Sequence, residues 1–169
     1  MDVISAITTR RSIRKFTGIP INEEELKTIL QAGSSGPSAH NLRPVNFVVV
    51  NEKSLLEDIS NFHPYAKMLP LAGCGIVVCG DMKRQKQEGF LVEDCSAAIE
   101  NILLAAHGIG LGAVWCGLYP VALLTDGFSK LLKLPENIIP IGIVVVGNKL
   151  EEVAPIDRYD EAKIHYNEW

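Results

Sequence analysis

Four cations and a hydroxyl lie within six consecutive positions near the start of the chain, in the run Arg10-Arg11-Ser12-Ile13-Arg14-Lys15. The whole chain has a formal net charge of only −4, so this run is a local concentration of positive charge. Arginine offers a planar fork of N–H donors and does not deprotonate, which suits it to phosphate and other oxyanions. The run therefore predicts an anion-binding site, although a solvated helix end can carry similar charges.

A second stretch with chemical potential is the loop over residues 33–44, which is rich in small polar residues and in proline. It leads directly into Asn46–Val50, whose β-branched content predicts a strand. Loops between a helix and a buried strand often carry ligands. Asn41 could present both an acceptor and a donor to the edge of a ring, or it could only shape an Asx turn.

A third stretch, Trp115-Cys116-Gly117-Leu118, falls where a strand is expected to end. Glycine there would let the backbone approach a flat ligand, and successive N–H groups could donate to ring atoms. A plain strand-terminating turn is the alternative interpretation. The glycine-rich run at 108–113 superficially fits a dinucleotide fingerprint, but it follows a helix and precedes a strand, so we reject that assignment.

Helices and strands must hold these stretches in place. Asp2 can cap a short first helix, and Asn22 with Glu25 forms a capping-box pattern that predicts a second helix over Glu23–Ala32. Further strands are expected at 75–79, 113–116 and 140–146, with helices between them.

The longest predicted helix, near Leu91–His107, is apolar around most of its circumference. One small sheet can cover only one side of such a helix. We therefore expect a second subunit to cover the remaining stripe, with Ala98 in the seam.

Composition narrows the class of protein. A chain of 169 residues predicts one domain, 1–169, and no apolar run reaches the roughly 20 residues that cross a bilayer. The acidic balance argues against a nucleic-acid partner and the N-terminus lacks the pattern of a secretion signal, so we expect a cytoplasmic protein. The four cysteines show no metal-ligand spacing, so we expect buried free thiols and no metal site.

Taken together, the three stretches and the Leu134-Pro135-Glu136 segment that leads to the last strand resemble the nitroreductase family of FMN-dependent oxidoreductases. The matching segments keep the family's order and span nearly the whole chain. Two departures stand out: Leu42-Arg43-Pro44 replaces a common Gln-Pro-Trp, and Lys149 follows Gly147 where many members have an aromatic residue.

The resemblance implies an α+β fold, specifically a three-layer α/β/α arrangement around a mixed, mainly antiparallel sheet in an intertwined homodimer. It also implies FMN sites that both subunits line. Residues implied at the cofactor fall into four groups: the first segment, the loop given by the other subunit, the strand end, and scattered cations. They are Arg10, Arg11, Ser12 and Arg14; Pro37, Ser38, Ala39 and Asn41; Trp115, Cys116, Gly117 and Leu118; and Lys67, Lys149 and Arg158.

The activity that the resemblance implies is transfer of hydride from NAD(P)H through FMN to a nitro compound, a quinone or a similar acceptor. A guanidinium near flavin N1 and O2 would favour the reduced, negatively charged ring, and the flavin itself would carry the chemistry with no side-chain base. The alternatives are reductive dehalogenation or flavin breakdown on the same scaffold, or a non-catalytic module that stores or senses flavin.

Overall fold

The computed structural model describes residues 1–169 and contains six α-helices and four β-strands. Two single turns of 3₁₀ helix span Ala39–Asn41 and Glu161–Lys163. The helices are α1 Val3–Thr9, α2 Glu23–Ser34, α3 Lys53–Phe62, α4 Leu69–Ala72, α5 Glu88–Gly108 and α6 Ala122–Leu131, and the strands are β1 Val45–Val50, β2 Cys74–Asp81, β3 Gly112–Gly117 and β4 Ile138–Gly147.

The four strands form one sheet in the order β1-β2-β4-β3, and every neighbouring pair is antiparallel. The one parallel contact is an isolated bridge between Ser12 and Ala113 at the β3 edge. The expected mainly antiparallel sheet is therefore confirmed, and its parallel part is limited to this bridge.

Two hydrophobic layers cover the two faces of the sheet. Successive residues of β2 alternate between them: Ile76 and Val78 face α5 and α2, whereas Val77 and Cys79 face α3, α4 and α6. This alternation follows from the period of two in an extended strand. Helices thus lie on both sides of the sheet, and the predicted three-layer fold is confirmed.

Local capping explains where the first two helices begin. The Asp2 carboxylate accepts from Ser5 N at 3.0 Å. Asn22 Oδ1 accepts from Glu25 N at 2.9 Å, and Glu25 Oε2 accepts from Asn22 N at 2.8 Å. Both predicted caps are present because these side chains satisfy N–H groups that the first helical turn leaves free.

The long helix α5 is covered mainly by its own chain. It packs on the sheet with one side and on α2 with another. Ala98 is 1% exposed, and a Cβ added to Gly36 would lie 3.3 Å from Ala98 N. The expectation that a partner must cover Ala98 is therefore wrong, because α2 and its following turn already do so. The stripe that stays exposed on α5 includes Glu93 and Glu100.

All four cysteines are free and buried, as expected. Burial raises the pKa of Cys79 and of Cys95 to about 12, because the thiolate would lose its hydration. None of the helices combines the length and the apolar character needed to cross a lipid bilayer.

Candidate functional site

The arginine segment runs along the free edge of β3. Ile13 N donates to Ala113 O at 3.0 Å, and Ser12 bridges the same residue. Ile13 and Phe16 are buried at 6% and 3% exposure and fix the segment to the core. The cationic residues between these anchors are consequently held on the edge of the sheet rather than on a mobile arm.

Glu151 holds the same segment from the other side. Its Oε1 accepts from Arg14 N at 2.9 Å and from Lys15 N at 3.2 Å, and Oε2 lies 3.6 Å from Lys15 Nζ. These contacts, the Arg14 N–H first, hold the pKa of the Glu151 carboxyl below its usual range. Sequence reasoning missed Glu151, since nothing local marks a glutamate 137 positions from its partner.

Cations gather where α1 and α5 end. Arg10 Nε lies 3.3 Å from Glu100 Oε1, and Lys149 Nζ lies 2.7 Å from Glu152 Oε1. His107 Nε2 is 2.8 Å from the Thr9 hydroxyl. Burial first, and then the nearby charges of Lys149 and Arg10, lower the pKa of His107. These surroundings favour the neutral ring of His107.

Two other arginines flank this cluster. Arg11 Nη1 is buried and has no hydrogen-bond partner within the chain. Because a buried unpaired donor on a charged group is costly, this atom marks a place that an external acceptor would satisfy. Arg158 is exposed and lies beside Thr8 and Thr9 in a cavity of about 520 Å³. Arg10 and Lys149 lie near His107, and Arg158 lies near Thr8 and Thr9, so cations from three segments of the chain gather where α1 ends.

A cleft of about 380 Å³ opens at the end of β3. Its lining residues come from three parts of the chain: the arginine segment, the end of β3, and the turn that follows α3. The lining comprises Arg14, Pro64, Tyr65, Lys67, Met68, Val114, Trp115, Cys116 and Gly117. Tyr65, which is 76% exposed, was missed because a single tyrosine in a turn carries no sequence signal.

The four strand-end residues play different parts in this cleft. Trp115 is 38% exposed and its indole lies over Gly142 of β4, whereas a Cβ added to Gly117 would meet no atom within 4 Å, so Gly117 faces open space. Burial raises the pKa of the Cys116 thiol to about 11, and the thiol donates to Tyr65 O at 3.2 Å. Leu118 is fully buried and its N–H donates to Ile141 O, so it supports the cleft from behind.

Lys67 has an alternative role in the structure. Its Nζ donates to Ser60 O at 2.7 Å and to Asn61 O at 3.4 Å, which are carbonyls of the last turn of α3. A lysine at a helix C-terminus satisfies free carbonyls and complements the helix dipole. Lys67 lines the cleft through its side chain, but its ammonium group is engaged with α3.

The loop at 37–44 is placed on the opposite edge of the sheet from the arginine segment. It leads into β1, which is separated from β3 by three strand spacings, or roughly 14 Å. Ser38 Oγ accepts from Arg43 N at 2.9 Å, and Ala39 N donates to Asp94 Oδ1 at 2.8 Å. Pro37 and Asn41 are exposed on the same loop. One protomer therefore brings Arg14 and Trp115 together but keeps the loop residues apart from them.

Asp94 is a further residue that sequence reasoning missed. It lies on α5, is 5% exposed, and leaves Oδ2 without a partner while Oδ1 anchors the loop at Ala39. An acidic residue inside an apolar helix was the available signal, because buried carboxylates normally have a structural or functional partner.

Comparison with known proteins matches residues 7–70 and 63–148 to the model of the Nitroreductase family. A Methanothermobacter thermautotrophicus relative, provisionally named an NADH dehydrogenase/NAD(P)H nitroreductase, is 44% identical over 169 residues, which cover 100% of this chain and 88% of that protein. The Bacillus subtilis FMN reductase [NAD(P)H] is 27% identical and is covered to 74%, with 99% of this chain matched. A Clostridium difficile FMN-dependent nitroreductase superposes with a TM-score of 0.91 at 29% identity, covering 98% of this chain and 99% of that one.

Proposed function

Because this chain belongs to the nitroreductase family, we propose that it is an FMN-dependent oxidoreductase that takes hydride from NAD(P)H and passes it to a small acceptor. The acceptor class is a nitro compound, a quinone or a similar planar molecule. The observation that carries this proposal is the cleft at the end of β3, where Arg14, Trp115 and Gly117 meet. Relatives named FMN reductase and FMN-dependent nitroreductase support it.

The residues of this cleft fit FMN. The cofactor combines a phosphate dianion with a flat ring whose pyrimidine edge gains negative charge on reduction. In the cleft, the Arg14 guanidinium forms no ion pair within the chain. Three positions earlier in the same segment, Arg11 Nη1 is a buried donor without a partner. The open space at Gly117 admits a planar group against the backbone. The site thus offers free cationic donors and a flat approach, which are the two features that FMN requires.

We assign the phosphate end of the site to the start of the arginine segment. Arg10, Arg11 and Ser12 would bind the phosphate there, and Lys149 and Arg158 lie on the same side of the molecule. Glu100 and Glu152 neutralise part of this charge in the structure. The guanidinium groups would supply charge-assisted hydrogen bonds to the phosphate.

We assign the ring end to Arg14 and the end of β3. When bound, FMN supplies the hydride-accepting atom, N5. Arg14 would place a fixed positive charge beside the ring and would favour negative charge on it. The backbone at Cys116 and Gly117 would orient the ring, and Trp115 would exclude water from one side of the cleft. No side chain of the cleft is required as a general base.

We further propose that the active form is a homodimer in which each site takes the loop at 37–41 from the other subunit. The loop lies on the far edge of its own sheet, so Pro37, Ser38, Ala39 and Asn41 cannot reach their own chain's cleft. Apolar side chains on α1 and on the C-terminal segment lie open to solvent in one protomer and suit a partner's surface. They include Val3, Ile4, Ile7, Ile156, Tyr159, Tyr166 and Trp169.

We propose the cytoplasm as the compartment. Four free, buried thiols with no disulfide between them are typical of a reducing environment.

Colour and reduction test the proposed function. Purified protein should be yellow, and anaerobic addition of NADH or NADPH should bleach it within seconds. A panel of a nitroaromatic compound, a quinone and free FMN then ranks the acceptors. Yellow protein that neither nucleotide bleaches would favour a flavin-storing module, and turnover only with a halogenated substrate would favour a dehalogenase. Colourless protein that cannot be reconstituted with FMN would overturn the proposal.

A further inference from the structure

His63 is a fully buried histidine that touches the end of β3. It follows α3 and has 0% exposure. Its Nε2 lies 3.0 Å from Gly117 O, and its Nδ1 lies 3.1 Å from Tyr65 N. A backbone N–H can only donate, so Nδ1 is the acceptor of the Tyr65 contact. The proton therefore sits on Nε2, which donates to Gly117 O, and the two contacts fix one neutral tautomer.

The ring of His63 is held by its neighbours as well as by its hydrogen bonds. Phe128 stands edge-on to it with ring centroids 6.2 Å apart and an interplanar angle of 89°. Tyr65 lies 6.2 Å away at 67° on another side. A side chain packed in this way has one orientation, so its donor is aimed at Gly117 with little freedom.

The contact from His63 falls on a glycine, Gly117, at the end of β3. Glycine has the most permissive backbone of all residues, and the space above Gly117 is open. The next peptide N–H, that of Leu118, donates to Ile141 O at 3.1 Å. The peptide that joins Gly117 to Leu118 is consequently held at both ends, its carbonyl by His63 and its N–H by β4.

The turn at 63–65, which contains His63, contacts β3 at a second point. The Cys116 thiol donates to Tyr65 O at 3.2 Å. The turn at 63–65 thus contacts both residues whose backbone faces the ring in the proposed site. On this basis, which rests on the proposed function, we propose that His63 is a positioning residue that sets the backbone of Gly117 against the flavin and thereby tunes the flavin's reduction potential.

Two substitutions separate the two contacts of His63. His63→Gln keeps a side-chain N–H near the position of Nε2 and can still donate to Gly117 O. His63→Asn places its amide near the position of Nδ1, so it can accept from Tyr65 N but does not reach Gly117 O. Both variants lose the aromatic ring, and they differ by one methylene and in which hydrogen bond survives, so a role that depended only on the ring would shift both variants.

The measurement is the midpoint potential of bound FMN in the wild type and in both variants. We expect His63→Asn to change the ratio of affinities for reduced and oxidised FMN by about tenfold, which is about 30 mV for a two-electron couple. We expect His63→Gln to stay close to the wild type. Equal shifts in the two variants, or no shift in either, would overturn the positioning role while leaving the proposed function intact.

If His63→Asn fails to fold, the protonation of the His63 ring in the wild-type protein still tests the proposal. Nitrogen NMR of the ligand-free wild-type protein should show His63 as the neutral Nε2–H tautomer. A proton on Nδ1 would overturn the proposal, whatever the variants do. Wild-type protein that binds no FMN would show that the proposed function has failed, and the positioning role with it.

Discussion

Arg10 and Glu100 form an ion pair between α1 and α5, with Arg10 Nε 3.3 Å from Glu100 Oε1. The Arg10 side chain is only 20% exposed, whereas that of Glu100 is 48% exposed. The pair uses one nitrogen of the guanidinium and leaves its two terminal nitrogens for another acceptor. If Arg10 binds the phosphate as proposed, Glu100 would help to hold its guanidinium in place.

Arg10→Ala should weaken FMN binding by about 2 kcal/mol, because it removes a charge-assisted contact with the phosphate. That loss corresponds to a dissociation constant roughly thirtyfold higher. Glu100→Gln is the matched control, since it keeps the length of the partner but removes its charge, and its effect should be much smaller. Titration of ligand-free protein with FMN measures both values. Identical affinities for Arg10→Ala and the wild type would remove Arg10 from the site.

Arg14→Ala should act on the flavin's potential more than on its affinity. Arg14 lines the cleft at the ring end, and its positive charge favours the reduced ring, so its loss should lower the midpoint potential. Lys15→Ala removes the next cation along the segment, whose side chain is 73% exposed and faces Glu151. Spectroelectrochemistry on both variants checks the prediction. A potential that falls equally in the two would point to net charge and not to a contact at the ring.

Subunit complementation tests whether one site uses two chains. Arg14→Glu should damage the cleft, and Asn41→Asp should damage the loop that the partner contributes while still accepting from Arg43 Nε. If random mixing makes half of the dimers mixed, and each mixed dimer has one intact site of two, about a quarter of wild-type activity should return. Activity equal to the average of the two parents would place the loop outside the site.

The lowered pKa of Glu151 predicts that the free energy of unfolding depends on pH in the acid range. Its folded pKa is depressed below the ordinary value of 4.5, so its contribution to the free energy of unfolding is present above about pH 4.5 and is lost as the pH falls through the folded pKa. Glu151→Gln should therefore be less stable near neutral pH and should lose less stability on acidification than the wild type. Glu152→Gln is the control, because that side chain is 81% exposed and pairs only with Lys149. Thermal unfolding from pH 7 to about pH 3 makes the comparison. Parallel curves for the wild type and Glu151→Gln would contradict the role of Glu151.

Gly142→Ala should displace the Trp115 side chain, which lines the cleft. A Cβ at this position of β4 would collide with the Trp115 indole and come 3.3 Å from Ile99 Cδ1. We expect a loss of about 1–3 kcal/mol in the free energy of unfolding, as is typical of overpacking, and a shift in Trp115 fluorescence. Gly117→Ala, which meets no atom, should change stability far less. Urea unfolding followed by tryptophan emission reports both effects, and equal losses in the two variants would argue against the collision.

Local patterns predicted the parts of the fold that local physics decides. The Asp2 cap, the Asn22–Glu25 capping box and the four strands all follow from side chains next to them in sequence. The covering of Ala98 was not predictable in this way, because an apolar stripe does not say whether α2 or another chain lies on it.

The candidate site likewise has features that the sequence shows locally and contacts that form only between distant residues. Its charged run and its strand end were visible as residue types at short spacing, and in the structure Arg14 and Trp115 line the same cleft. Glu151 and His63 contact the residues of that site from far away in sequence, Glu151 at Arg14 and Lys15 and His63 at Gly117. Contacts of that kind arise only when the chain folds, so no pattern in the sequence announces them.

The loop at 38–43 is already shaped in the single protomer. His40, Asn41 and Arg43 adopt positive φ angles of 52°, 55° and 50°, a region that side chains other than glycine rarely occupy. The loop's own hydrogen bonds, from Arg43 Nε to Asn41 Oδ1 and from Arg43 N to Ser38 Oγ, hold it there. Because these contacts lie within one chain, association of two chains would cost little conformational entropy in the loop. Assembly would then be closer to the docking of rigid surfaces than to folding upon binding.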